Sequence, residues 1–189
     1  MVFNPLKHHR RSIRLRGYDY SRPGLYYVTL TLQSRLPLLG EVQGDVVHLS
    51  VLGEIVKGEW LRTPIIRPGT ALDEFVVMPD HVHGIIVICE ERNGVSRSSI
   101  DLVGANSSSP RRVTPFRSPS KTLGAIIRGF KAASTVRINE HRGTPGTKIW
   151  QRNYYEHIII DERDLLRIQE YIRNNPLHYA ERLESLARR

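Results

Sequence analysis

The chain has 189 residues, 40% hydrophobic and 25% charged, which suits one soluble domain with its own core. Its 28 Lys and Arg stand against 19 Asp and Glu, a net charge of +9, which favours a polyanionic partner, nucleic acid before membrane. A single cysteine, Cys89, excludes an intrachain disulfide and a multi-cysteine zinc site, and no apolar run approaches the ~18 residues of a membrane helix.

In chain order, residues 1–22 form a basic arm carrying Arg10, Arg11, Arg14 and Arg16, suited to phosphate contact, although charge alone does not separate this from a solvated tail. The N-terminus has no apolar signal-peptide core, so a cytoplasmic protein is expected. Pro23-Gly24 opens a strand, Leu25 to Gln33, with Tyr26, Val28, Leu30 and Leu32 alternating against Tyr27, Thr29 and Thr31. Gly40 to Leu49 reads as a hairpin turning near Gln43-Gly44-Asp45. Ser50 caps a helix to about Leu61, and Pro64 and Pro68 forbid its continuation.

Leu72 to Met78 is a second strand, joined by Pro79-Asp80 to a third that begins His81-Val82-His83. Residues 93–119, rich in Ser and Pro, read as a long flexible loop inside a single domain spanning 1–189. Lys121 to about Glu140 is a helix with Leu123, Ile126, Ile127, Phe130 and Val136 mostly on one side. Its basic rim of Arg128, Lys131 and Arg137 is a candidate nucleic-acid contact, or equally a solvated face. Lys148 to Ile160 reads as a strand, and the last clear helix runs from Glu162 to about Asn174, because Pro176 disfavours its continuation. Paired strands with intervening helices imply an α+β fold: a ferredoxin-like antiparallel sheet with helices packed on one face.

The histidine strand carries the strongest chemical signal. Side chains alternate along a strand, so His81 and His83 point the same way about 7 Å apart and can grip one metal ion or one phosphate. Val82, Gly84, Ile86 and Ile88 take the opposite, core face. Hydrogen-bonded structural histidines would give the same pattern. On the last helix Leu165, Ile168 and Ile172 form the buried stripe, with Tyr171 at its edge and Asn175 one turn later. Asp80 either orients an imidazole or serves the turn.

Met78-Pro79-Asp80-His81-Val82-His83, Trp150-Gln151-Arg152-Asn153-Tyr154-Tyr155-Glu156-His157 and Tyr171-Ile172-Arg173-Asn174-Asn175-Pro176 occur in that order. Together they resemble the HUH single-tyrosine transposases, in particular the REP-associated tyrosine transposase branch. The resemblance runs from the Arg-rich arm and Tyr26-Tyr27-Val28-Thr29 to Asn175-Pro176, omitting the Ser-rich segment and the last dozen residues. It implies that His81 and His83 hold a divalent metal, Mg²⁺ or Mn²⁺, over the scissile phosphate of single-stranded or hairpin DNA. It implies that Tyr171 is the nucleophile, giving a 5′-phosphotyrosine and a free 3′-hydroxyl, and that Asn175 stands where relatives place a polar third ligand, often Gln. It also implies a bacterial, nucleoid-associated enzyme, and it allows a homodimer in which one subunit lends its tyrosine helix to the other.

Elementary chemistry agrees with that division of labour. A phenol of pKa near 10 is ionised about one part in a thousand at neutral pH, so it needs activation. Two imidazoles favour Mn²⁺ over Mg²⁺. The competing readings are a binding protein of the same fold without activity, a replication or conjugation nicking enzyme, and a metal hydrolase in which water attacks.

Overall fold

The computed structural model describes residues 18–90 and 122–188. Arg10, Arg11, Arg14, Arg16, most of the basic arm and the 93–119 segment lie outside the described residues. The elements in order are β1 (Gly24–Thr31), β2 (Gly40–Gln43), β3 (Val46–Leu49), α1 (Val51–Leu61), α2 (Thr63–Ile66), β4 (Thr70–Val77), β5 (His81–Ile88), α3 (Leu123–Arg142), β6 (Tyr155–Ile159) and α4 (Glu162–Ala187).

β1 and β5 are the two central strands of a four-stranded antiparallel sheet ordered β4-β5-β1-β6. α1 and α2 connect β1 to β4, and α3 connects β5 to β6, which gives the βαββαβ order of a ferredoxin-like sheet. The expected α+β architecture is present. β2 and β3 form the expected hairpin as a separate ribbon, with Gly44 at φ 64° supplying the left-handed turn residue.

Strand alternation sorts the side chains onto two faces. Tyr26, Val28 and Leu30 of β1 and Val82 and Ile86 of β5 join Val56 and Trp60 of α1 and Ile126, Ile127 and Phe130 of α3 in the main core. Tyr27 and Ile85 face the other way and pack against Ile168 and Ile172 of α4. Helices on one face therefore describes α1 and α3; α4 covers the opposite face, the one that bears the histidines. Gln169 ties α4 to the outer strand, its Nε2 donating to Asp73 Oδ1 at 2.6 Å beside a register shift in β4.

The helix caps follow their sequence signals, with Ser50 Oγ accepting from Gly53 N at 3.2 Å and Thr122 Oγ1 from Ala125 N at 3.2 Å. On α3, Val136 is 55% exposed rather than part of the buried stripe, because it lies about 120° round the helix from Phe130. Ser134 and Ile138 take the buried positions instead.

Two boundaries differ from expectation by more than two residues. The strand expected over Lys148–Ile160 is regular only over Tyr155–Ile159; before it, Trp150 makes one isolated bridge to Leu32. In that irregular stretch Lys131 Nζ donates to the carbonyls of Gln151 and Asn153 at 2.8 and 3.0 Å. The final helix does not stop at Pro176 but continues to Ala187. Proline inside a helix forfeits one backbone hydrogen bond and costs about 3 kcal/mol. Burial of Asn175 and Pro176, and contact of Tyr179 with His81, offset that cost.

Candidate active site

The Pro79-Asp80 connection is a tight turn closed by Met78 N donating to His81 O at 2.8 Å. The amides of Leu32 and Leu39 donate to its two carbonyls at 2.9 Å each, so the start of β5 is pinned at one end of the sheet. Register then places Thr29 of β1 opposite His83 and Thr31 opposite His81. A polar row on β1 meets the histidine row on β5.

Every ring nitrogen of the histidine pair has a defined neighbour. His81 Nδ1 lies 2.6 Å from Asp80 Oδ1, and His83 Nδ1 lies 2.8 Å from the Tyr27 hydroxyl and 2.9 Å from Thr29 Oγ1. The two Nε2 atoms face each other at 2.9 Å. One direction of donation satisfies all members. Thr29 O–H donates to the Tyr27 oxygen, Tyr27 O–H to His83 Nδ1, His83 Nε2–H to His81 Nε2, and His81 Nδ1–H to Asp80.

The electrostatics keep His83 neutral and Asp80 anionic. Burial, and then the neighbouring His81, push His83 down to about 3, so it is an uncharged imidazole at neutral pH. Burial alone would raise the Asp80 carboxyl. The hydrogen bond and charge of His81, with help from Arg182, outweigh it and hold Asp80 below the usual carboxylate range. Burial pushes the Tyr27 hydroxyl well above the ordinary phenol range, so it remains a proton donor.

α4 lays Tyr171 across this cluster. Its ring stands 5.4 Å from that of His83 at 73° and 6.2 Å from that of Tyr27 at 89°, and the residue is 44% exposed. The phenol ring therefore borders both His83 and solvent. Asn175, one turn on and buried, lines the same cleft of about 400 Å³ together with His81, His83 and Tyr171.

The spacing of the pair fits a shared cation. Two donors sharing one octahedral ion at 2.1 Å sit about 3.0 Å apart along the octahedron edge, and the Nε2 separation matches that. Each opposite ring nitrogen is engaged, as it is in most metal-ligating histidines. Among the described residues no group of three or more His, Cys, Asp or Glu side chains is placed to hold a metal. Two imidazoles and an amide oxygen are what the chain offers here.

The other expected contacts fall elsewhere. α3 packs on the far face of the sheet from the cleft, so Arg128, exposed, and Lys131 are not part of it. Burial lowers the Lys131 ammonium to about 8, and its bonds to Gln151 and Asn153 make it a structural clasp. Arg137 joins Arg62 on the buried carboxylate of Glu59, at 2.9 and 3.3 Å. Of the two tyrosines in the middle motif, Tyr154 packs toward the main core, while Tyr155 is 53% exposed and edge-on to Tyr27. His157 bonds Asp164 at 2.7 Å and is a fold residue near the start of α4.

Sequence reasoning did not single out Tyr27 and Thr29 as partners of His83, nor Arg35, His178, Tyr179 and Arg182 as walls of the cleft. The first two had a signal: polar Tyr27, Thr29 and Thr31 share one face of a strand whose other face is apolar. The others were hidden behind the expected stop at Pro176 or in an irregular turn.

No family model matches the chain. An "Uncharacterized protein" of Haemophilus influenzae (strain ATCC 51907 / DSM 11121 / KW20 / Rd) is 39% identical over 175 residues, covering 93% of this chain and 92% of its own. Among solved structures, the REP-associated tyrosine transposase bound to a REP hairpin superposes with a TM-score of 0.56 at 19% identity, over 89% of this chain and 74% of that one. A crystal structure of a transposase-like protein from Deinococcus radiodurans R1 gives a TM-score of 0.44 at 20% identity, over 86% of this chain and 97% of that one. The first of these structural likenesses shows a common fold.

Proposed function

The chain belongs to one family with the Haemophilus influenzae protein and has the fold of the tyrosine-transposase superfamily, and from this we propose that it cuts and rejoins single-stranded DNA. The observation that carries the reading is Tyr171 of α4 standing 5.4 Å, ring to ring, from His83 of the paired histidines in its own chain. That proximity supports attack in cis, without a tyrosine helix lent by a second subunit.

In the proposed reaction the Tyr171 oxygen attacks a phosphodiester in line. The Tyr171 O–P bond forms, the P–O3′ bond breaks, the phenol proton is released, and the departing 3′ oxygen takes up a proton. The 5′-phosphotyrosine keeps the energy of the broken bond, so attack by a 3′-hydroxyl reverses the step and joins strands. His81 Nε2 and His83 Nε2, with the Asn175 amide oxygen, would hold a divalent cation, Mn²⁺ more tightly than Mg²⁺. When bound, that ion supplies charge neutralisation at the non-bridging oxygens of the phosphate.

The residues around it prepare the donors. For both Nε2 lone pairs to face one cation, the proton on His83 must sit at Nδ1, where the oxygens of Tyr27 and Thr29 accept it. Asp80 holds the proton of His81 at the corresponding nitrogen. Substrates with a hairpin beside an unpaired strand suit the reading, because the REP-associated transposase of similar fold is described bound to a REP hairpin. The net charge of +9 supports a DNA partner, in the bacterial cytoplasm at the nucleoid. Among the described residues no helix is long and apolar enough to cross a membrane.

The test is incubation with Mn²⁺ and a labelled hairpin oligonucleotide bearing unpaired flanks, followed by denaturing electrophoresis. The wild type is expected to form a denaturant-resistant DNA–protein adduct, Tyr171→Phe none, and His81→Ala or His83→Ala at least a hundredfold less. Cleavage without adduct, unchanged in Tyr171→Phe, would favour a hydrolase. Salt-sensitive binding without cleavage would favour a binding protein of this fold.

A further inference from the structure

We propose that the end of the cleft beyond His81, walled by Arg35, Tyr179 and Arg182, is a subsite for one unpaired nucleotide flanking the scissile phosphate. The inference rests on the single-stranded DNA reading above and adds a place where the strand is gripped rather than cut.

Three features of this end of the cleft point to a ligand. Arg35 holds a left-handed backbone, φ 53°, the one non-glycine residue with positive φ among the described residues. That conformation costs an L-residue about 1–2 kcal/mol, and such strain clusters at ligand-binding positions. Second, the Arg182 guanidinium lies 5.1 Å over the Tyr179 ring, whose own centroid is 6.5 Å from that of His81. A guanidinium on a phenol makes a flat, cationic platform, the kind of surface on which an unpaired base stacks without regard to its identity.

The third feature is charge. Arg35 and Arg182 line the same cleft, and among the described residues neither is held in an ion pair. The carboxylate within reach, Asp80, is already engaged by His81 at 2.6 Å. Two guanidiniums outside any ion pair suit a phosphodiester, and Arg presents the fork that such an anion accepts. The cleft's volume of about 400 Å³ lies within the range of small-ligand sites, roughly 300–1,000 Å³. This platform exists only because α4 continues past Pro176; a helix ending there would leave the histidines open on this side.

The experiment uses full-length Tyr171→Phe protein, so that binding is read without cleavage, and a hairpin oligonucleotide with 2-aminopurine moved singly along its unpaired strand. One position is expected to be quenched on binding, and Tyr179→Leu and Arg182→Gln are expected to abolish that quench. Arg35→Gln and Arg182→Gln should each make the slope of log K against log salt shallower by about 0.7, one phosphate contact on a single strand. Arg182→Lys should keep the slope and lose the quench, since it retains the charge without the plane. Tight binding with slope and quench unchanged in all variants overturns the subsite and leaves the nuclease reading standing. No binding of single-stranded DNA by the parent protein overturns both.

Discussion

His83 is fixed by its Nδ1, which meets the hydroxyls of Tyr27 and Thr29 across two neighbouring strands. Either hydroxyl can serve alone, so Tyr27→Phe should weaken Mn²⁺ binding less than Tyr27→Phe/Thr29→Val. The double variant is expected to lose about 10–100-fold in affinity by titration calorimetry, and an unchanged affinity would show that His83 needs no partner to face the ion. The same burial makes His83 a pH-sensitive element of stability. The folded residue stays neutral down to about 3, whereas the unfolded one takes a proton below 6.5. The unfolded state thus binds the extra proton in that window, and stability present above it is lost as pH falls, by up to about 1.4 kcal/mol per pH unit. The urea midpoint should drop between about pH 7 and about pH 5 in the wild type and drop less in His83→Gln. Equal drops would locate the effect elsewhere.

α4 is the element on which the site depends, because it carries Tyr171 and Asn175 and touches the sheet through few residues. Ile172 is fully buried against Tyr27 and Ile85, while Leu166 on the same helix is 55% exposed. Ile172→Ala should therefore cost about 2–5 kcal/mol in denaturant unfolding, and Leu166→Ala within about 0.5 kcal/mol. Similar costs for both would mean that α4 is not seated on this face. The buried stripe and the edge position of Tyr171 were legible in the sequence, since Leu165, Ile168 and Ile172 recur at helical spacing. Its length was not, because the local rule at Pro176 is overridden by contacts of Tyr179 that only the folded sheet supplies. Similarly, alternation revealed that His81 and His83 share a face, but which hydroxyls they meet depends on the β1–β5 register. β6 came out shorter than its pattern, and the stretch before it is tied instead to the Lys131 ammonium of α3, a contact between elements that no local pattern reveals.

At the scale of the whole molecule, the ferredoxin-like sheet serves as a rigid plate with a different task on each face. α1 and α3 close one side with the main core and the Glu59–Arg137 link, and α4 brings the phenol to the histidines on the other. The order of strands and helices along the chain was enough to reach that sheet; the split of helices between its faces required coordinates. The account stands on Tyr171, and not a neighbouring phenol, becoming joined to DNA. Trypsin releases it alone in the peptide Ile168–Arg173, separate from Tyr154, Tyr155 and Tyr179. Mass spectrometry of the nuclease-trimmed adduct should find the added nucleotide phosphate on that peptide; the same mass on a peptide bearing Tyr155 or Tyr179 would contradict the assignment.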